Sequence, residues 1–361
     1  MRPLPGVVLY FTSFVPAPAG VRATRIFVKG ELFVELPSQL PGLGRLDNPT
    51  GLQALQRCSD GNFRVGVDGV KAIVSTGDRK VEFIAFADHT LAYVRSSMGS
   101  PAYYPVSPVE MKRPIKAVLM DLDGTSVRSE HFWIWIIQQT TASLLKDPSF
   151  ELVPEDEPYV SGHSVSEHLQ YCIKKYCPGK TVEEARKYYF EHTHREMEAI
   201  LQGKGKEGAF TPSPGLKEFL LGLKRKGIKI GLVTSGLYEK AYPEILSAFR
   251  TLDMGDPCEF YDAIITAGYP LRKGTTGTLG ELSPKPHPWL YAEVARVGLG
   301  MDESERDHVV GIEDSGAGVA SIRLAGFPVI GFGGGNINDS GTRALCMHYG
   351  ETFEEVSEVI Q

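Results

Sequence analysis

The chain has 361 residues, a length that suggests about two domains. Its 38 Lys and Arg against 44 Asp and Glu leave a net charge of −6. That balance excludes the broad basic surface on which nucleic acid is tracked, although a small cation cluster could still hold one phosphate. With 42% hydrophobic and 23% charged residues, the composition is neither disordered nor fibrous.

The N-terminus holds Arg2, the apolar run Val7-Val8-Leu9-Tyr10-Phe11 and then Ala17-Pro18-Ala19-Gly20. This loosely imitates a secretory leader, and it also reads as a first strand followed by a proline loop. Arg25-Ile26-Phe27-Val28 and Leu32-Phe33-Val34 flank Gly30 and predict a hairpin. Residues 51–56 are expected to form one short helix. Strands are expected over 71–74, 81–86 and 91–94, where Val, Ile, Phe and Tyr are separated by Gly, Asp and His. Residues 1–96 thus read as a small β-rich domain whose role and partner the sequence leaves open. Residues 97–114 carry Ser, Gly, Pro and the pair Tyr103-Tyr104 without periodicity, and are expected to be a linker.

From residue 115 the pattern changes. Ala117-Val118-Leu119-Met120 is a short continuous apolar run, the mark of a strand buried on both faces. Similar runs recur at 228–233, 263–265, 309–312 and 329–331, separated by helical patterns at 214–226, 237–248, 288–297 and 316–325. That alternation predicts an α/β fold with a doubly wound parallel sheet. A charged, Tyr-rich helical tract over about 132–207 interrupts the first and second strands. It would sit above the carboxyl ends of the strands, where open α/β sheets bind ligands.

Asp121-Leu122-Asp123-Gly124-Thr125 follows the first buried strand. Two carboxylates two residues apart at a strand end allow one to act as nucleophile or metal ligand and the other to transfer a proton. A calcium loop also begins Asp-x-Asp, but it places Gly sixth and follows a helix, whereas Gly124 is fourth and follows a strand. A purely structural turn is the other alternative. Thr234-Ser235-Gly236 ends the second strand, Lys285 lies in Ser283-Pro284-Lys285-Pro286, and Glu313-Asp314-Ser315 ends the strand at 309–312. All of these fall on one edge of the predicted sheet.

An acid pair, a hydroxyl, an amine and a second acid pair, in this order, resemble the four motifs of the haloacid dehalogenase (HAD) superfamily. The likeness is closest to the β-phosphoglucomutase and sugar-phosphatase branch, whose helical cap follows the first motif. Gly311-Ile312-Glu313-Asp314-Ser315-Gly316-Ala317-Gly318 is similar to that branch's fourth motif. The resemblance spans residues 115–361, with a cap at about 128–211, and does not reach the first hundred residues.

The resemblance implies a Rossmann-like fold and a role for each motif residue. Asp121 would attack phosphorus to form an aspartyl-phosphate, and Asp123 would protonate the leaving oxygen and then activate water. Mg²⁺ would be held by Asp121, the Asp123 carbonyl and Asp314, with Glu313 as a direct or water-mediated ligand. Thr234, Ser235 and Gly236 would bind phosphoryl oxygens, joined by Lys285. An acid at position 123 favours phosphate-ester chemistry over dehalogenation. In the cap segment Ser161-Gly162-His163-Ser164-Val165, Val165 stands where the sugar mutases carry arginine, which favours a monophosphate substrate. His163 and Arg128 are the polar candidates for reading the leaving group.

The expected activity is a Mg²⁺-dependent phosphatase for a small phosphorylated metabolite such as a sugar phosphate. A phosphomutase is the enzymatic alternative, and a binding or regulatory protein acting through the first domain is the non-enzymatic one. Residues 268–283 read equally as a substrate flap or a surface loop. Gly331-Phe332-Gly333-Gly334-Gly335-Asn336 reads as a flexible loop beside the site rather than a dinucleotide loop. His168 and Cys172, four residues apart, share a helix face and admit a structural zinc. Five cysteines, an odd and sparse set, point to a reducing compartment, and no apolar run approaches the ~18 residues of a membrane span. The expected location is cytoplasmic, away from membranes.

Overall fold

The computed structural model of the protein describes residues 27–28, 31–32, 36–47, 49–95, 100–160, 165–267 and 282–360. His163 and residues 268–281 lie outside them. Phe27–Val28 and Glu31–Leu32 pair antiparallel, as a hairpin about Gly30 requires.

Residues Leu36–Gln361 form one compact unit. After a short hairpin of Gln39–Leu40 with Gly44–Arg45, it forms a five-stranded antiparallel sheet: β1 (Gln53–Leu55), β2 (Ala72–Ser75), β3 (Val81–Ala85), β4 (Thr90–Val94) and β5 (Ala102–Pro105), in that spatial order. Two of these strands differ from expectation. Residues 53–55 pair with Ser75, Val74 and Ile73 instead of forming a helix. A helix of six residues is too short to nucleate alone, whereas a ladder to a buried strand satisfies the same backbone groups. The segment expected as a linker contributes β5, whose register sets Tyr103 opposite Tyr93 and Tyr104 opposite Ala92. Pro105 is tolerated there because β5 is an edge strand.

Both faces of this sheet are covered. Val74, Phe83 and Val94 share one apolar cluster with Leu119, Val309, Val319 and Ile322 further along the chain. Ile73, Ile84 and Tyr93 form a second cluster with Cys58 and Val70 on the opposite face.

β6 (Ala117–Asp121) opens the second layer, followed by β7 (Val127–Arg128). Three longer helices follow, with a single helical turn at Glu157–Val160 between the first two: α1 (Glu130–Leu145), α2 (Val165–Tyr176) and α3 (Val182–Leu201). Thr181 caps α3 through a reciprocal capping box with Glu184. β8 (Thr211–Pro212) returns antiparallel to β7, so one two-stranded pair carries the chain into the helical insertion and out again. Then come α4 (Leu216–Arg225), β9 (Lys229–Thr234), α5 (Tyr238–Leu252), β10 (Ala263–Thr266), α6 (Trp289–Glu293), β11 (Val309–Glu313), α7 (Gly316–Leu324), β12 (Val329–Phe332), β13 (His348–Gly350) and α8 (Phe353–Ile360). The six-stranded sheet runs β10-β9-β6-β11-β12-β13 and is parallel throughout.

This is the doubly wound, Rossmann-like arrangement that the sequence predicts. β6, first in this sheet by sequence, lies at its centre between β9 and β11. The order therefore reverses beside it, and a crevice forms at the carboxyl ends of these strands.

Candidate active site

The three central strands end on chemistry. Asp121 closes β6 and lies opposite Val233, one residue before Thr234 closes β9. Met120 is level with Ile312, so Glu313 and Asp314 follow beside Asp121. Parallel register thus gathers residues almost two hundred positions apart at one sheet edge.

Gly124 allows the chain to turn there. Its φ of +86° lies in the left-handed region, and a Cβ on it would stand 2.1 Å from Asp314 Oδ2. The turn is secured by Ser126 Oγ, which donates to the Asp121 carbonyl at 2.6 Å, and by Thr125 Oγ1, which donates to Asp314 Oδ1 at 3.0 Å. Gly335 closes the other side of Asp314, where a Cβ would meet the Asp314 carbonyl oxygen at 2.3 Å. Asn336 Oδ1 accepts from Gly316 N at 2.8 Å. The glycine-rich loop therefore packs on the acidic cluster.

Asp121, Glu313 and Asp314 are all buried, and one carboxylate oxygen from each lies within 4.8 Å of the other two. Lys285 Nζ donates to Asp121 Oδ1 and, at 2.5 Å, to Glu313 Oε1. Tyr291 OH adds a bond to the same Glu313 oxygen at 2.9 Å, while Ser315 N and Oγ occupy Oε2 at 3.0 and 2.9 Å. Both oxygens of Glu313 are thus taken by protein donors. Burial, reinforced by Glu313, pushes the Asp121 carboxyl well above the usual range, against the pull of Lys285. Burial and Glu313 likewise push Asp314 up to about 8. Burial opposes the Lys285 charge, but Asp121 and Glu313 outweigh it and hold the ammonium protonated.

Three largely buried carboxylates lie around one ammonium. Burying charge without full compensation is costly, so this donor set suits a hard divalent cation. Asp121 and Asp314 retain lone pairs that could ligate one.

Asp123, by contrast, is exposed at the mouth of the crevice. Ser129 Oγ donates to its Oδ1 at 2.9 Å and Thr234 Oγ1 to its Oδ2 at 3.2 Å. Thr234 Oγ1 also accepts from Gly236 N at 2.9 Å, and Ser235 Oγ accepts from Lys285 N at 3.1 Å. Arg128 lies on β7 with its side chain exposed, at the connection to the helical insertion. His163 lies outside the described residues.

Glu244, Ser129 and Tyr291 complete the setting and were not singled out by sequence reasoning. Glu244 is buried on the apolar face of α5 among Ala241, Ile245 and Ala248, and a charge on such a stripe was the available signal. Burial, with Asp123 beside it, pushes its carboxyl well above the usual range. Ser129 and Tyr291 carried no local signal.

A family model described as haloacid dehalogenase-like hydrolase matches residues 115–326. The chain belongs to this family. Its membership makes the protein an enzyme, a HAD-like hydrolase. The chain is 28% identical over 233 residues to the β-phosphoglucomutase of Bacillus subtilis (strain 168), a span covering 61% of this chain and 84% of that protein. Two solved structures share the HAD fold. One is a predicted phosphoglycolate phosphatase from Haemophilus somnus 129pt, with 18% identity, a TM-score of 0.51, and 69% of this chain and 99% of that one covered. The other is a HAD hydrolase, family IA, variant 3, from Entamoeba histolytica HM-1:IMSS, with 19% identity, a TM-score of 0.50, and 68% and 98% covered. The family match begins at residue 115, after the antiparallel sheet.

Proposed function

We propose that this HAD-like hydrolase is a Mg²⁺-dependent phosphatase for a small phosphorylated metabolite, a sugar phosphate being the leading class. The observation that carries this reading is the buried Asp121, held at the end of the central strand by Lys285 with Asp314 beside it. Asp121 attacks phosphorus through a carboxylate oxygen, and the ester oxygen leaves as the aspartyl-phosphate forms. Asp123 gives its proton to that leaving oxygen, then takes one from the water that attacks the intermediate. Its two hydroxyl donors, Ser129 and Thr234, aim the carboxyl at the leaving group. Lys285 and the amides following Thr234 meet the phosphoryl oxygens where negative charge gathers.

Asp121, the Asp123 carbonyl and Asp314 are the groups that would hold Mg²⁺. When bound, the ion offsets the negative charge that otherwise keeps a carboxylate from a phosphate. Glu313, with four donors on its two oxygens, acts in this reading chiefly to place Lys285.

A phosphomutase is the second reading, supported by the likeness to β-phosphoglucomutase. Val165 at the start of α2 offers no cation for a second phosphate, which favours hydrolysis.

The test is a panel of phosphorylated metabolites with Mg²⁺, comparing the native chain with Asp121→Asn. Release of phosphate by the native chain, reduced by at least about a thousandfold in the variant, is expected. Equal turnover in Asp121→Asn would rule out the nucleophile assignment. Bisphosphate-dependent isomerisation without net phosphate release would establish the mutase.

A further inference from the structure

The segment that carries Lys285 is held at three points. Ser235 Oγ accepts from the Lys285 amide at 3.1 Å, and Ser321 Oγ donates to the His287 carbonyl at 2.6 Å. Both of these partners lie within residues 115–326, the span of the family match. The third does not. Tyr104, on β5 of the antiparallel sheet, has its hydroxyl 2.7 Å from His287 Nδ1. Its ring stands edge-on to His287 and to Trp289, with centroids 5.8 Å apart in each case.

His287 is 1% exposed and its Nε2 has no partner, so among the described residues the Tyr104 hydroxyl is the hydrogen-bonding group its ring has. Losing that bond leaves a buried imidazole unsatisfied two residues from Lys285, a cost that favours movement of the segment. The sheet that presents Tyr104, and the hairpin before it, are tied to the rest of the unit elsewhere as well. Gly77 N donates to the Ser340 carbonyl at 2.8 Å, and the buried Arg323 donates through Nη2 to the Gly42 carbonyl at 3.2 Å. Val74, Phe83 and Val94 share a core with Leu119 and Val309, and Tyr104 packs against that core, so the sheet behind it is close-packed on the parallel layer.

We propose that Tyr104 is a positioning residue for Lys285, and that the antiparallel sheet braces the active site through the Tyr104–His287 hydrogen bond. The part of this inference that concerns turnover rests on the phosphatase reading above; the structural part does not. Lys285 must meet a developing charge within a few tenths of an ångström, and a segment anchored from behind holds it there without reorganisation.

The experiment compares the full chain with Tyr104→Phe, which keeps the ring and removes the hydroxyl. Hydrogen exchange at the Lys285, His287 and Trp289 amides is expected to quicken about fivefold or more, with the strands β6 and β11 unchanged. With p-nitrophenyl phosphate and Mg²⁺, kcat is expected to fall about fivefold at nearly constant KM. In a Lys285→Met background the same substitution is expected to leave kcat unaltered, because its effect passes through the amine.

Unchanged exchange at those three amides overturns the proposal. So does a kcat loss of equal size in the Lys285→Met background, or a loss of protection spread evenly over the chain, either of which marks a role in packing alone. If the native chain hydrolyses no phosphate ester, the phosphatase reading fails, and the exchange result still decides whether Tyr104 places Lys285.

Discussion

Asp314 shows how burial sets the chemistry of a single group. Its carboxyl is pushed from 3.8 up to about 8 by burial and by Glu313, so the folded chain keeps a proton that the unfolded chain releases. A carboxyl raised in this way supplies stability at low pH, and that stability drains away as pH rises from about 4 toward 8. The slope is at most about 1.4 kcal/mol per pH unit for one proton. In the metal-free protein the thermal midpoint is therefore expected to fall between pH 5 and pH 8. Mg²⁺ should restore more at pH 8 than at pH 5, because the cation binds the ionised form. Thermal denaturation in chelator and in excess Mg²⁺ checks this, with Asp314→Asn expected to flatten the metal-free slope. A Mg²⁺ effect equal at both pH values would count against these carboxylates as the binding groups.

At the scale of elements, the helical insertion has its own electrostatic anchor. Asp156 is fully buried and accepts from Lys175 Nζ and Tyr171 OH at 2.6 Å, from Tyr176 OH at 2.5 Å and from Val153 N at 2.9 Å. Burial alone would raise this carboxyl, but the hydrogen bonds from Lys175, Tyr171 and Tyr176 overcome it and hold the group down to about 2. Its contribution is present above the ordinary value of 3.8 and is lost as pH falls toward 2. Asp156→Ala leaves three side-chain donors and one amide without their acceptor, and should cost about 2–3 kcal/mol. Hydrogen exchange should locate the loss in α2 and around Asp156. A change below about 0.5 kcal/mol in denaturant unfolding would show that the cluster is not a stabilising one. The insertion meets the rest of the chain through Lys240 on α5, which donates to Tyr189 OH at 3.1 Å and stands 3.8 Å above the Trp133 ring. That contact joins α1 and α3 to the helix that follows Thr234.

For the whole molecule, the shared apolar cluster is the decisive feature. Phe83 is 1% exposed and belongs to the same cluster as Leu119 and Val309. Phe83→Ala should cost about 3–5 kcal/mol, the usual range for a buried aromatic truncated to a methyl. Because the cluster spans both sheets, calorimetry should show one transition that moves as a whole. An early, separate transition for the antiparallel sheet, with the remainder unaffected, would show two independent cores instead.

The sequence by itself determined the parallel layer, and its motifs, through their resemblance to the HAD superfamily, nominated the members of the site. Ala117-Val118-Leu119-Met120 and its counterparts are continuous apolar runs because strands buried on both faces tolerate nothing else. Asp121, Asp123, Thr234, Glu313 and Asp314 stood out because strand ends in a parallel sheet converge on one edge, and Lys285 stood out only through the order of motifs that resembles the HAD superfamily. Tertiary structure alone decided how those groups divide the work. Glu313 is saturated by Lys285, Tyr291 and Ser315, and Thr234 points its hydroxyl at Asp123, relations that span long sequence separations and leave no local pattern. It also made strands of residues 53–55 and 102–105, since both segments are too short for periodicity to declare itself and gain their form from the strands beside them. The place of the antiparallel sheet was likewise a tertiary matter. Strand patterns specify that a face is apolar, and only packing specifies which other face it covers.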